Sequence, residues 1–278
     1  MPVWFVVVRQ VPPRHNCTWS HDMQDDPFPR EFGAKIHPSH HVHQRLYAHN
    51  PDPVPFVACK VHRSSWFVNN PRAAFLSPEQ DLFLMTYEND RHIIGRDTVD
   101  VVDLFEELDG VAQGAFAGDR LTYGSMDRRE VVKEIDESVQ RQLTAYELME
   151  NRGIDMPLYP SIMGWEDWHF ERCRVLVEEI SRWVGFDATQ YDSEYEFAKH
   201  VKRVDEVLEP KGIFVNGCVS PKWLRMLPKS VVACSGSYNI REETKDATGT
   251  PQRDKLPEVV EKRVDALNNW QSELTSYQ

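Results

Sequence analysis

Cysteine is scarce: five in 278 residues, at positions 17, 59, 173, 218 and 234. The number is odd and the spacing wide, which excludes a disulfide framework or a zinc ribbon and fits a reducing cytoplasm. No apolar run approaches the ~18 residues of a membrane span, so no membrane partner is expected. No basic segment precedes the first apolar residues, Met1-Pro2-Val3-Trp4-Phe5, as a secretory signal would require. Glycine-rich phosphate loops of the Walker or dinucleotide kind are missing, as are internal repeats and low-complexity tracts. Cationic side chains are in deficit, 32 Lys and Arg against 44 Asp and Glu, for a formal charge of −12. That excludes a broad basic face. An acidic surface poor in Lys suits either a halophile-like protein, where salt screens the repulsion, or an ordinary acidic cytosolic one. In strong salt the counterion-release contribution to nucleic-acid binding is weak anyway, so acidity alone does not exclude such a partner.

What the chain does have is a core, 41% of its residues being hydrophobic, and a regular alternation in its second half. Residues 127–151 carry Val131, Ile135, Val139, Leu143, Tyr146 and Met149 near the 3.6-residue period, closed by Gly153, and predict a long helix. A strand over 156–163, a helix over 166–183, a strand over 184–187 and a helix over 193–208 follow. Then come a strand at 213–215, a short helix over 220–227, a strand at 231–234 and a final amphipathic helix over 257–274. Strand then helix, repeated, is a βα series, and the all-apolar runs Ile213-Phe214-Val215 and Val231-Val232-Ala233 suit a parallel sheet covered on both faces. The expected architecture is one barrel-like α/β domain across 1–278, regular over 155–274. The first 80 residues, rich in Pro and His, read as irregular. Within the N-terminal half, strands are expected at 3–8, 56–61, 66–68 and 82–86 and a helix at 98–108, with 12–53 loop carrying short helical pieces.

Ligands of such folds sit at the C-terminal strand ends. Four of these ends break into small polar residues: Gly164-Trp165, then Asp187 to Gln190, then Asn216-Gly217, then Ser235 to Asn239. Gly164, Asp187, Gln190, Asn216, Ser235 and Tyr238 are therefore expected to border one pocket. The plainer alternative gives Gly and Asn only the making of tight turns, and Asp187 only the capping of the helix near Ser193.

In order, PSIMGW (160–165), VGFDATQY (184–191), GIFVNGCVSPKWLRML (212–227) and SVVACSGSYN (230–239) resemble the second half of a tRNA-guanine transglycosylase barrel. The Gly-Trp turn is closer to the DNA-acting relatives that insert 7-deazaguanine bases. The resemblance, over roughly residues 155–240, implies a TIM barrel acting on nucleic acid, DNA in preference to tRNA, with a 7-deazaguanine base as second partner and no organic cofactor. It also implies a carboxylate nucleophile that forms a covalent glycosyl intermediate and groups that hydrogen-bond the purine edge. The chain departs from the family at several points. Met163 stands where the family has Gln. Ala233-Cys234-Ser235 stands where it has Asp beside Cys, and its Cys-x-Cys-x-x-Cys and His zinc site is missing, so no metal is expected. The family's Asp-Ser-Gly-Gly-Phe turn has its nearest counterpart in LMTYENDRHIIG (84–95), where Glu88 and Asp90 end a strand. A catalytic reading thus assigns Asp187 as nucleophile with Glu88 or Asp90 as acid/base partner, and Gly164, Trp165, Gln190, Asn216, Ser235 and Tyr238 as substrate-binding residues. A second reading is a base- or nucleic-acid-binding barrel that has lost its nucleophilic Asp. A third is a hydrolase using Ser235 or Cys234, which lacks the Gly-x-Ser-x-Gly spacing.

Two other segments stand out. HPSHHVHQRLYAH (37–49) holds five histidines without an Asp, Glu or Cys to complete a metal site, and reads as a solvated or nucleic-acid-facing loop. Residues 241–255 are polar and read as a mobile connection, or as a lid whose Lys245, Arg253 and Lys255 reach phosphate.

Overall fold

The computed structural model describes residues 27–70, 74–87, 95–118, 120, 122, 124–189, 191–217 and 220–269. Eight strands alternate with helices: β1 (Glu31–Ile36), α1 (His41–Tyr47), β2 (Phe56–Lys60), α2 (Val61–Asn69), β3 (Asp81–Met85), α3 (Thr98–Glu107), β4 (Gly114–Ala117) and α4 (Arg128–Arg152) make the first half. The second half is β5 (Leu158–Pro160), α5 (Asp167–Glu179), β6 (Trp183–Asp187), α6 (Glu194–Leu208), β7 (Gly212–Asn216), α7 (Pro221–Leu224), β8 (Val231–Gly236), α8 (Tyr238–Glu243) and α9 (Leu256–Asn268).

Every strand pair is parallel, and β8 pairs with β1, so the sheet curls from β6 through β7, β8 and β1 to β5. A single bridge, Ser161 to Gly185, with the Ile162 amide donating to the Gly185 carbonyl at 2.9 Å, brings β5 to β6. The result is a nearly closed TIM-barrel-like α/β fold. Strand alternation divides the apolar residues between two layers. Phe32, Val57, Leu84, Val184 and Val215 face the helices. Phe56, Phe83, Phe116, Tyr159 and Phe214 fill the barrel. Phe28 stacks on Trp183 at 4.7 Å, and both pack against this inner layer from the N-terminal ends of the strands.

The helices are stopped and started by local chemistry. Asp127 and Glu130 form a capping box on α4, and Gly153 ends it in the left-handed region at φ 69°. From the buried face of α4, the Gln142 side chain donates to the Ser161 carbonyl at 3.1 Å and accepts from its amide at 2.8 Å, satisfying the strand end beside the β5–β6 gap. At the same gap Gly185 leaves room for Tyr87: a Cβ there would lie 2.1 Å from the Tyr87 hydroxyl and 2.7 Å from the Phe116 ring. Gly185→Ala is expected to destabilise the fold by about 1–3 kcal/mol through overpacking, because the Ser161 hydroxyl holds the Tyr87 hydroxyl at 2.9 Å and it cannot simply swing away. Urea unfolding measures this; an unchanged midpoint would mean that Tyr87 is not fixed.

Several expectations need correction. The N-terminal half is regular from residue 31: α1 is a short helix of the kind expected within 12–53, but β1 is a strand where loop was expected. Residues 66–68 belong to α2, whose buried face is Val61, Ser64 and Phe67. Strand β4 was not anticipated, and Trp183 opens β6 instead of closing α5. The 220–227 helix shrinks to the four residues of α7. The strand expected at 3–8 lies outside the described residues. No helix among the described residues is long and apolar enough to cross a membrane.

Candidate functional site

The C-terminal mouth is polar because the inward register positions change character there. β6 ends at Asp187, the one described strand that ends in an acid, beside Asn216 of β7 and Ser235 of β8 in direct register. The side chains form a row. Ser235 Oγ donates to Asn216 Oδ1 at 3.5 Å, and Asn216 Nδ2 donates to Asp187 Oδ1. Thr189 completes it, its amide donating to Asp187 Oδ1 at 3.3 Å and its hydroxyl to Oδ2 at 2.6 Å. Asn216 and Ser235 are fully buried and Asp187 partly so. Gly217 makes the row possible. Its φ is +89°, and a Cβ would strike the Thr189 methyl at 2.5 Å, so a side chain would push Thr189 off the carboxylate.

Above the row lies a cleft of about 580 Å³, lined by Lys35 of β1, Thr189, Gly217, and Ser237, Tyr238 and Asn239 after β8. That volume falls in the range of small-ligand sites. Tyr238 is 68% exposed on the rim, as a platform for a flat ring would be. Tyr191 lines the opposite wall, and its hydroxyl meets His200 Nδ1 at 3.0 Å.

The sequence-derived residues fall into three groups. Asp187, Asn216 and Ser235 meet directly but are not themselves among the residues that line the cleft, which touches the row through Thr189; of the expected pocket residues Tyr238 lines it. Gly164 and Trp165 are not among the residues lining the cleft: Gly164 is packed under His169, and Trp165 leans edge-on against the same ring. His169 Nδ1 accepts the Trp165 and Glu166 amides, both at 3.0 Å, so this turn serves the start of α5. Glu88, Asp90 and Gln190 lie outside the described residues. Asp187 does not cap α6, since Ser193 Oγ takes that place, accepting the Glu196 amide at 3.4 Å. Cys234 faces the outer layer, and burial pushes its thiol up to about 12, so it is no nucleophile at neutral pH. Ser235 contacts Asn216 and has no imidazole partner among the described residues.

The lid reading of 241–255 is corrected as well. Residues up to Glu243 are α8, and Asp246 accepts the amides of Thr248 and Thr250, both at 2.9 Å, in a compact turn. Lys245 pairs with Glu242, and Arg253 and Lys255 donate to the carbonyls of His49 and Lys245. Thr189, Ser237 and Asn239 fall within the strand-end loops expected to form the site without having been singled out, and Lys35 was missed. For Lys35 the signal was there: one Lys after Gly33 in the otherwise apolar FGAKI is an inward position at a strand end. Among the described residues, no group of three or more His, Cys, Asp or Glu is placed to hold a metal ion. Compared with known protein families and with curated proteins, the chain matches none.

Proposed function

We propose that the mouth over β6, β7 and β8 takes one nucleotide of a nucleic acid, DNA in preference to tRNA, and exchanges its guanine for a 7-deazaguanine by glycosyl transfer. The observation that carries this reading is the Ser235–Asn216–Asp187–Thr189 row under the cleft. A carboxylate offers about four acceptor sites; the row occupies two on Oδ1 and one on Oδ2, leaving one on Oδ2 for carbon. In the reaction Asp187 attacks the anomeric carbon of the sugar, the glycosidic C–N bond breaks, and guanine leaves with the electron pair and takes up a proton. The incoming base then attacks the same carbon through its N9, expels Asp187 as the carboxylate and gives up its N9 proton to solvent, which balances the proton that guanine took up. Tyr238 on the rim supplies a stacking face, worth about 1–3 kcal/mol per base. The described cysteines, all buried thiols, suit a cytoplasmic setting.

One observation favours a second reading, a base-binding barrel without exchange. Ala233-Cys234-Ser235 sets a methyl, an outward thiol and a buried hydroxyl where the resembled family has its Asp. Incubating the protein with DNA and tRNA carrying labelled guanine separates the two. Release of label with a protein–nucleic-acid adduct on a denaturing gel is the expected result. Binding of nucleic acid or of the free 7-deazaguanine base without release transfers the assignment to the second reading, and absence of binding to DNA, tRNA and the free base sinks both.

A further inference from the structure

The part of the barrel carrying β1 and β2 reverses the charge of the rest. Residues 32–78 hold one acid, Asp52, against five Lys or Arg and six His, in a chain with 44 acids and 32 Lys and Arg. The fold collects much of this charge at the C-terminal mouth. Lys35 and Lys60 occupy inward register positions at the ends of β1 and β2. His37 and His40 lie in the turn between β1 and α1, and Arg63 in the first turn of α2. Arg241 comes from α8, the helix whose first residues line the cleft.

The imidazoles are compact. The His40 ring lies 4.9 Å from those of His41 and His43 and 6.3 Å from that of His37, and the His37 amide donates to His43 Nδ1 at 2.7 Å. Burial, then Arg63 and His40, holds His37 below the ordinary imidazole value. Burial, then His41, Arg241 and Arg63, does the same for His40. Burial, with His40 and Arg241 next, drives His43 down to about 3. Two guanidiniums thus act on one set of imidazoles, and among the described residues no carboxylate contributes to these shifts.

Elsewhere Arg141, Arg152, Arg172, Arg174, Arg203 and Arg263 each reach a carboxylate. Arg63 instead donates through Nε to the imidazole of His62 at 3.0 Å, and Arg241 Nε is buried with no hydrogen-bond partner among the described residues. Two guanidiniums are thus turned to one corner of an acidic protein, that of Arg241 with an orphaned buried donor, where an anion would complete the arrangement.

We propose that this corner is a phosphate-binding site, in which Arg241 and Arg63 hold a phosphate beside the rings of His37 and His40. Because Lys35 and α8 also border the cleft, a phosphodiester of the strand whose base enters the cleft is the fitting carrier. The inference rests on the nucleic-acid reading for that carrier, not for the site. The second source of the same chemistry is a small phosphorylated molecule.

The test measures binding of a labelled, guanine-free single-stranded DNA 12-mer across a salt series, and of inorganic phosphate by calorimetry. It uses wild type, Arg241→Gln, Arg63→Gln and, as a control on α5 whose guanidinium is already paired with Asp136, Arg172→Gln. Each mouth variant is expected to weaken the 12-mer about tenfold and to lower the slope of log affinity against log salt by about one, with the control unchanged. Phosphate binding lost in both variants, without any 12-mer binding, upholds the site with a small-molecule carrier. Equal affinity and slope in wild type and both mouth variants overturns it, as does a wild type that binds neither probe. The variants lie on different helices, so misfolding of one, seen in its thermal melt, leaves the other to decide. The probe carries no guanine, so failed base exchange does not bear on this outcome.

Discussion

Asp187→Asn is expected to lower base exchange by roughly 10⁴-fold or more, the scale on which loss of a nucleophile is felt, while leaving the fold and the cleft in place. The carboxamide keeps one oxygen to accept from Asn216 Nδ2 and the Thr189 amide, and its NH₂ can donate to the Thr189 hydroxyl, which accepts as well as donates. What disappears is the acceptor site facing the sugar carbon. Asp187→Ala is the informative contrast. It strands the Asn216 NH₂ group, whose residue is fully buried, and adds about 1–3 kcal/mol of destabilisation to the same catalytic loss. Release of labelled guanine, trapping of adduct and urea unfolding are measured on both. Exchange that survives in the Asn variant removes Asp187 from the chemistry.

Glu243→Ala is expected to cost about 3 kcal/mol of stability, more than any truncation of an exposed ion pair. Its partner Arg263, on α9, is fully buried. One guanidinium nitrogen donates to Glu243 Oε1 at 2.6 Å, and the other to Oε2 at 3.1 Å and to the Val259 carbonyl. Removing the carboxylate leaves that charge desolvated with one backbone acceptor. Because the Glu243 side chain is 43% exposed, water offsets part of the loss, which keeps the figure at the low end for such pairs. Arg263→Met, which removes the buried charge itself, is expected to be neutral or stabilising. Urea unfolding of the two variants decides; a Glu243→Ala protein within 1 kcal/mol of wild type would mean the guanidinium is already hydrated.

How far the fold was legible follows from what each strand has to fill. β6, β7 and β8 carry uninterrupted apolar runs, because both their faces are buried, and the sequence reads plainly there. β1 was invisible as EFGAKI since its inward positions are Gly33 and Lys35: the Phe56 ring occupies the space where a Gly33 side chain would be, 2.1 Å from its Cβ position. β4, GAFA, is equally quiet because Tyr159 and Phe83 crowd Gly114. Trp66-Phe67-Val68 imitates a strand only because an aromatic cluster of Trp66, Phe67 and Phe75 packs along α2. At the site, strand-end position sufficed to bring Asp187, Asn216 and Ser235 together. It failed for Gly164 and Trp165, whose turn is shaped by a histidine four residues further on, a dependence that no spacing rule contains.

The single bridge between β5 and β6 gives the barrel the mechanics of a split ring. Seven junctions are ladders of several residues; the eighth is held mainly from outside, by α5 lying between α4 and α6 and by Gln142 clasping Ser161. A ring with one slit changes diameter by flexing at the slit and keeps its curvature elsewhere. The arc from β6 through β7 and β8 to β1 and β2, which bears the whole polar row and the cationic corner, lies to one side of that slit. A guest that forces the mouth wider is therefore accommodated by parting β5 from β6, with the distances among Asp187, Asn216, Ser235 and Lys35 left as they are.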